Sequence, residues 1–231
     1  MREAAVRFAA MGIPAIPLWG ITEDGACSCG QGHECKSAGK HPRWPGWQKA
    51  AANTAAADGY FSFFGRSDTP ANIGLRLMAC GLAVIDVDSE EGAELLEDLV
   101  GDEDLAAFPA AETSRGVHYF VRTALRPGLI GPGLELKSEN VVAPPSKNPD
   151  GSTRQWVPGR ELLSIAQVPQ IPDAVADRLT SRAAFSNTPR RGRSSAGAAS
   201  VSLFSNETIA RMLLDRGVSE ALVNKHILGG S

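Results

Sequence analysis

Two acidic patterns and a cysteine-rich loop carry the residues able to do chemistry. Asp86 and Asp88 stand in the run AVIDVDSEEG, where four apolar residues, Leu82 to Ile85, lead to the first carboxylate. Side chains alternate along a strand, so both aspartates share a face, about two strand rises apart. Two ionised carboxylates that close repel each other, and a divalent cation removes the repulsion. Mg²⁺ and Mn²⁺ prefer such oxygen ligands, and Mg²⁺ usually takes substrate phosphates as well. The pattern therefore suits two-metal phosphoryl transfer, with metals roughly 3.5–4 Å apart. Taken by itself, the tripeptide reads equally as a strand end, with Asp88 and Ser89 capping the helix that follows. His118 lies in SRGVHYFV, directly after a Gly-containing turn. Glu135 lies in GPGLELKSENVVAPPS, between Gly-rich and Pro-rich turns, with Lys137 in the same run and Lys147 just beyond it. Each of these, read alone, is an ordinary strand residue.

Cys27, Cys29 and Cys35 crowd into nine residues and are accompanied by His33 and His41, in CSCGQGHECKSAGKHP. Four thiolate or imidazole ligands make a closed tetrahedral zinc site, and either histidine can supply the fourth. The other reading is free thiols on an exposed loop. A polar loop this short has little to fold around without metal, so the role of such a site is structural first. Lys36, Lys40 and Arg43 surround it, and Trp44 and Trp47 follow. Basic and aromatic side chains together suit single-stranded DNA, through phosphate contact and base stacking. Both tryptophans read alternatively as core, which suits Trp47 better than Trp44. Cys80 reads as a buried small hydrophobe.

The elements that must position these residues follow from periodicity. Residues 2–11 have helical spacing with Gly12 as a stop, and IPAIPL is a short extended segment whose prolines suggest an edge. Residues 20–46 read as an irregular loop, and residues 54–64 as a helix capped by Thr54. Strands are expected at 72–77 and 82–88, with a turn around Cys80 and Gly81, and an amphipathic helix at 90–100 gathers Leu95, Leu96, Leu99 and Val100. Further extended pieces are expected at 117–122, 133–137, 140–145 and 154–157, and a helix at 172–182. Residues 183–200 are mainly Ala, Ser, Gly, Pro and Arg and read as a flexible linker. Residues 201–231 form a helical tail too small for its own core, read as the start of an accessory domain.

With 231 residues, the chain has room for one large domain and a small appendage. Its formal net charge of −3 sets it apart from strongly basic DNA-coating proteins, so any nucleic-acid contact must come from a local basic surface. No apolar run approaches the roughly 20 residues that span a bilayer, and Met1 to Leu18 lacks a signal pattern. A cytoplasmic protein is expected, where clustered cysteines point to metal more than to disulfides.

Together, IDVD, SRGVH and GLELKSENVVAPPS resemble the archaeo-eukaryotic primase superfamily, and more closely the bifunctional primase–polymerase N-terminal domain of plasmid, phage and prophage replication proteins. AAVRFAAMGIPAIPL, GKHPRWPGWQ and ANIGLRL agree with that family in order, so the resemblance covers roughly residues 1–165. It implies an α+β fold, an archaeo-eukaryotic primase-like core with a mixed, largely antiparallel sheet, helices and a zinc-binding loop at 20–46, within a catalytic domain of residues 1–182. It implies that Asp86, Asp88 and Glu135 are catalytic Mg²⁺ or Mn²⁺ ligands, Glu135 standing where the family usually has Asp. It implies that His118 is catalytic and touches the phosphates of the incoming NTP or dNTP. Arg115 and Lys137 are then triphosphate partners, and Arg76 a weaker one, because cations there offset charge on the transferring group. Similar chains carry C-x-C, a third Cys and G-K-H-P, which favours His41 over His33 as fourth Zn²⁺ ligand beside Cys27, Cys29 and Cys35. The implied activity is that of a DNA primase/DNA polymerase on a single-stranded DNA template, with a helicase in the same or a separate polypeptide as partner. Two other functions compete: an inactive zinc-containing single-stranded DNA-binding module, and a metal-dependent nuclease.

Overall fold

A computed structural model describes residues 1–64 and 70–186 of the chain. In chain order the elements are α1 (Arg2–Ala10), β1 (Ala15–Trp19), α2 (Thr54–Phe64), β2 (Ala71–Leu75), β3 (Leu82–Val87), α3 (Glu90–Val100), α4 (Asp102–Leu105), β4 (Ala110–Glu112), β5 (Val117–Arg122), β6 (Gly128–Gly131), β7 (Leu134–Lys137), β8 (Val141–Ala143) and α5 (Asp173–Ser186). The expected α+β class is what forms, but the strands make two sheets rather than one. A three-stranded sheet has the order β1-β2-β8 and a five-stranded sheet the order β4-β5-β3-β7-β6. The strand pairs in both are antiparallel.

Strand β3 is buried along its whole length, because each face meets a different core. Leu82 and Val84 join Phe120 in a cluster with residues of α1, α2 and the three-stranded sheet. Ala83, Ile85 and Val87 point the other way, into a cluster with Leu96 of α3 and Val175 and Leu179 of α5. The continuous apolar run that led to Asp86 is thus the signature of a two-sided central strand.

Strand β1 is an edge, as its prolines suggested, and the cysteine loop covers that edge. The Trp19 amide donates to the His41 carbonyl (2.9 Å), and the Arg43 amide to the Pro17 carbonyl (3.2 Å). Such covering keeps an open edge from pairing with another chain.

Two expectations are corrected. Helix α2 is capped by Asn53, whose Oδ1 accepts from the Ala56 amide at 2.8 Å, with Thr54 already its first helical residue. Residues 154–157 are not a strand. They touch β4 through a single bridge, Ala111 to Trp156, and Pro158 ends the run. Strands β7 and β8 lie in different sheets, and the chain passes between them at Asn140, in the left-handed region (φ 54°), where asparagine is better tolerated than most residues. Helix α3 begins as expected at Ser89, whose hydroxyl accepts from the Gly92 amide. The linker expected beyond α5 and the tail at 201–231 lie outside the described residues. Among the described residues no helix is long and apolar enough to cross a membrane.

The cap assignment is testable by chemical denaturation. Asn53→Ala should cost about 1 kcal/mol, the typical worth of an N-cap, whereas Thr54→Ala should cost less than half of that.

Candidate active site and metal centre

The register of the five-stranded sheet builds the acidic site. Asp86 of β3 pairs with His118 of β5 on one side and with Glu135 of β7 on the other. Directly opposed residues project to the same face, so three residues far apart in sequence form one row across three strands. Lys137 lies opposite Val84, on that same face. The face is apolar at Leu82, Val84 and Phe120, and turns polar at Asp86, His118, Glu135 and Lys137. Gly116 makes the close approach of β5 possible. A Cβ there would collide with the Val87 carbonyl.

Asp86 and His118 are buried, each 7% exposed. His118 Nε2 lies 3.1 Å from Asp86 Oδ1, and Lys137 Nζ is bonded to Asp86 Oδ2. Lys137 also lies 3.4 Å from Glu135 Oε2. Asp88 continues the row beyond the strand end and accepts from Arg115 Nη2 at 2.8 Å. Burial opposes the charge on Asp86, but His118 and Lys137 outweigh it and hold its carboxyl far below the usual range. Burial pulls His118 down, against the pull of Asp86. A neutral His118 donates from Nε2, so the cationic partner of Asp86 at neutral pH is Lys137. Burial works against the Lys137 charge too, yet Asp86 and Glu135 raise its pKa. His118 Nδ1 is buried without a hydrogen-bond partner among the described residues.

Asp86, Asp88, Arg115, His118 and Lys137 line a concave pocket of about 240 Å³, together with Lys40, Thr113, Glu139, Asn140 and Arg154, while Glu135 stands on the neighbouring strand outside that lining. Sequence reasoning did not place Lys40 or Arg154 here. Lys40 stood in the cysteine loop, and Arg154 in a segment read as a strand. Only the approach of both loops to the end of β3 brings them in. A larger hollow of about 580 Å³ beside α1 is lined mostly by apolar side chains such as Phe8, Met11 and Leu162, with Arg7 and Glu161 its charged members. The chemistry-bearing groups are in the smaller pocket. Arg76 is tied elsewhere, to Glu139 (3.3 Å) and to the Ala50 carbonyl (2.7 Å).

The cysteine loop folds into a second centre. Cys27, Cys29, Cys35 and His41 bring their ligand atoms within 4.8 Å of one another, so the four could hold a metal ion. His41 Nε2 lies 3.5 Å from Cys27 Sγ and 3.4 Å from Cys35 Sγ. His33 points away, to Asp24 (3.3 Å). Trp19 packs against Cys27 and Cys35. Burial pushes the Cys27 thiol up to about 12. It opposes ionisation of Cys29 as well, but there the Gln31 amide and the neighbouring thiols prevail and the pKa falls.

The DNA-facing reading of this loop is corrected at two residues. Trp44 is core, 1% exposed, stacked on Phe64 at 6.3 Å and tilted against Tyr60 at 4.9 Å. Arg43 is 2% exposed, with its guanidinium 4.5 Å from the Trp19 ring centre and donating to the Leu18 and Pro70 carbonyls. Trp47 is partly buried and packs against the same core, so Trp44 is the more deeply buried of the two, not Trp47 as expected. Cys80 packs against the core, and burial raises its thiol to about 11.

The family model described as bifunctional DNA primase/polymerase, N-terminal, matches residues 5–174. No curated protein and no solved structure matches the chain.

The loop geometry separates the two histidines. Purified protein should release one tightly held metal per chain on thiol modification. His41→Ala should abolish most of that release, and His33→Ala should leave it intact. Equal losses from both would contradict the assignment.

Proposed function

The chain belongs to the bifunctional DNA primase/polymerase family, N-terminal domain type, and on that premise we propose that it joins nucleotides on a single-stranded DNA template by two-metal transfer, in plasmid- or phage-type replication. The observation that carries this reading is the row His118–Asp86–Glu135 across three adjacent strands, extended by Asp88 into a pocket rich in cations.

The donor set fits divalent cations. Asp86, Asp88 and Glu135 offer hard carboxylate oxygens, and Asp86 stays ionised at any working pH. Mg²⁺ or Mn²⁺ bound there supplies charge neutralisation at the transferring phosphate and a lowered pKa for the attacking hydroxyl. Asp86, Asp88 and Glu135 would hold the cation, and Lys137, now bonded to Asp86, would then be free to turn to an incoming triphosphate. Arg115 is similarly available. Its bond to Asp88 is largely exposed, and such pairs contribute only about 0–1 kcal/mol. Glu135 reaches further than an aspartate from the same strand position and is half exposed, so it adapts to a ligand more easily than Asp86 does. His118, held by Asp86, stands beside the phosphates, and a polyanion in the pocket favours its charged form, which donates from both ring nitrogens.

The reaction is attack of a primer 3′-hydroxyl on the α-phosphate of a nucleoside triphosphate. The new bond joins the 3′-oxygen to the α-phosphorus, the bond from the α-phosphorus to the bridging oxygen breaks, and pyrophosphate leaves. In priming, a second nucleotide supplies the hydroxyl. The Cys27, Cys29, Cys35 and His41 centre takes Zn²⁺ in a structural role, since all four positions are filled by protein ligands.

Nucleotide incorporation on primed and unprimed single-stranded DNA, with Mg²⁺ or Mn²⁺, tests this reading. Asp86→Ala with Asp88→Ala should lower incorporation at least about 10²-fold, the scale for removing one preorganised electrostatic group. Wild-type binding of the strand without product would favour a binding module, and loss of the input strand a nuclease.

A further inference from the structure

Two cations in the pocket lack a carboxylate within ion-pair distance among the described residues, namely Lys40 and Arg154. The others are matched: Arg115 with Asp88, and Lys137 with Asp86 and Glu135. Arg154 is the more unusual, because it is 5% exposed. A buried guanidinium is retained at a cost unless its donors are satisfied. Its Nε donates to Asn148 Oδ1 at 3.1 Å, but Nη1 has no hydrogen-bond partner among the described residues. The backbone holds it firmly in place, with its amide donating to the Ser146 carbonyl at 2.8 Å.

Lys40 reaches the pocket from the cysteine loop, one residue before His41. Two asparagines fasten that part of the loop to the sheets. Asn140 Nδ2 donates to the Lys40 carbonyl at 2.7 Å, and Asn72 Nδ2 to the Gly39 carbonyl at 3.0 Å. The side chain is exposed overall. Lys40 and Arg154 line the same concave space as Arg115 and Lys137. Positive charges gathered around such a space mark a place for an anion.

We propose that Lys40 and Arg154 grip the terminal phosphates of an incoming nucleoside triphosphate, with the Cys3His loop serving to hold Lys40 at the pocket. This rests on the nucleotidyl-transfer reading above. A nucleic-acid backbone is the other source of phosphate. A compact polyphosphate suits the geometry better, because Arg154 is 5% exposed and lines the concave pocket beside Asp86 and His118, while a strand needs an open groove.

The test is calorimetric titration of the full chain, with Mg²⁺ present, using dATP, dAMP, inorganic tripolyphosphate and a single-stranded oligonucleotide. Lys40→Ala, at an exposed position, should weaken dATP and tripolyphosphate about tenfold, as for loss of one charge-assisted hydrogen bond. It should leave dAMP and the oligonucleotide unchanged, and Lys40→Arg should restore most of the loss. Arg154→Met should act in the same direction, with an unfolding curve showing that it is folded. Wild-type binding of tripolyphosphate by both variants overturns the clamp, as does a Lys40→Ala loss confined to the oligonucleotide. Those outcomes leave nucleotidyl transfer standing. If the wild type binds the oligonucleotide but no dATP, the polymerase reading falls and the clamp with it.

Discussion

The antiparallel register of β3 between β5 and β7 is the constraint on which the rest of the structure depends. It sets Asp86 opposite both His118 and Glu135 and so makes one polar row out of three distant segments. Slipping either pairing by one residue would turn His118 or Glu135 to the opposite face, into the apolar cluster around α3 and α5. That error is expensive because both faces of β3 are buried, so the two cores enforce the register that the site needs. Gly116 serves the same end, since it lets the β5 turn close against Val87 where any side chain would collide.

The electrostatics of the row follow from its position at the end of a buried face. Asp86 is desolvated, which alone would favour its neutral form, and it remains ionised because Lys137 and His118 are brought to its two oxygens. Lys137 and Arg115, both partly exposed, thus stand against Asp86 and Asp88. Arg154 differs, being buried, with its Nε bonded to Asn148 and no carboxylate within ion-pair distance among the described residues.

The cysteine loop is joined to the Asp86 pocket through the core as well as through Lys40. Arg43 and Trp44, two and three residues past His41, are packed against Trp19, Tyr60 and Phe64. The backbone at His41 and Arg43 bonds to the edge of β1. A loop poor in apolar residues thereby gains a fixed position by using its flanking sequence as an anchor. The three thiols and His41 are gathered above that anchor, while His33, at the loop's outer turn, faces solvent.

Local pattern determined much of this protein without reference to its fold. Helical spacing located α1, α3 and α5, alternation and apolar runs located β2, β3, β5 and β7, and the density of Cys27, Cys29 and Cys35 signalled a metal-capable loop. The order of short motifs around Asp86, His118 and Glu135 pointed to the family. Those features are legible because they depend on residues close in sequence. The tertiary structure alone decided that Asn53 rather than Thr54 caps α2, that β7 and β8 belong to different sheets, and that residues 154–157 form no strand. It also placed Arg43 and Trp44 in the core, and brought Lys40 and Arg154 to the pocket. Each of these turns on contacts between segments distant in the chain or on which of two adjacent side chains a backbone geometry favours, and neither is encoded in residue type or spacing.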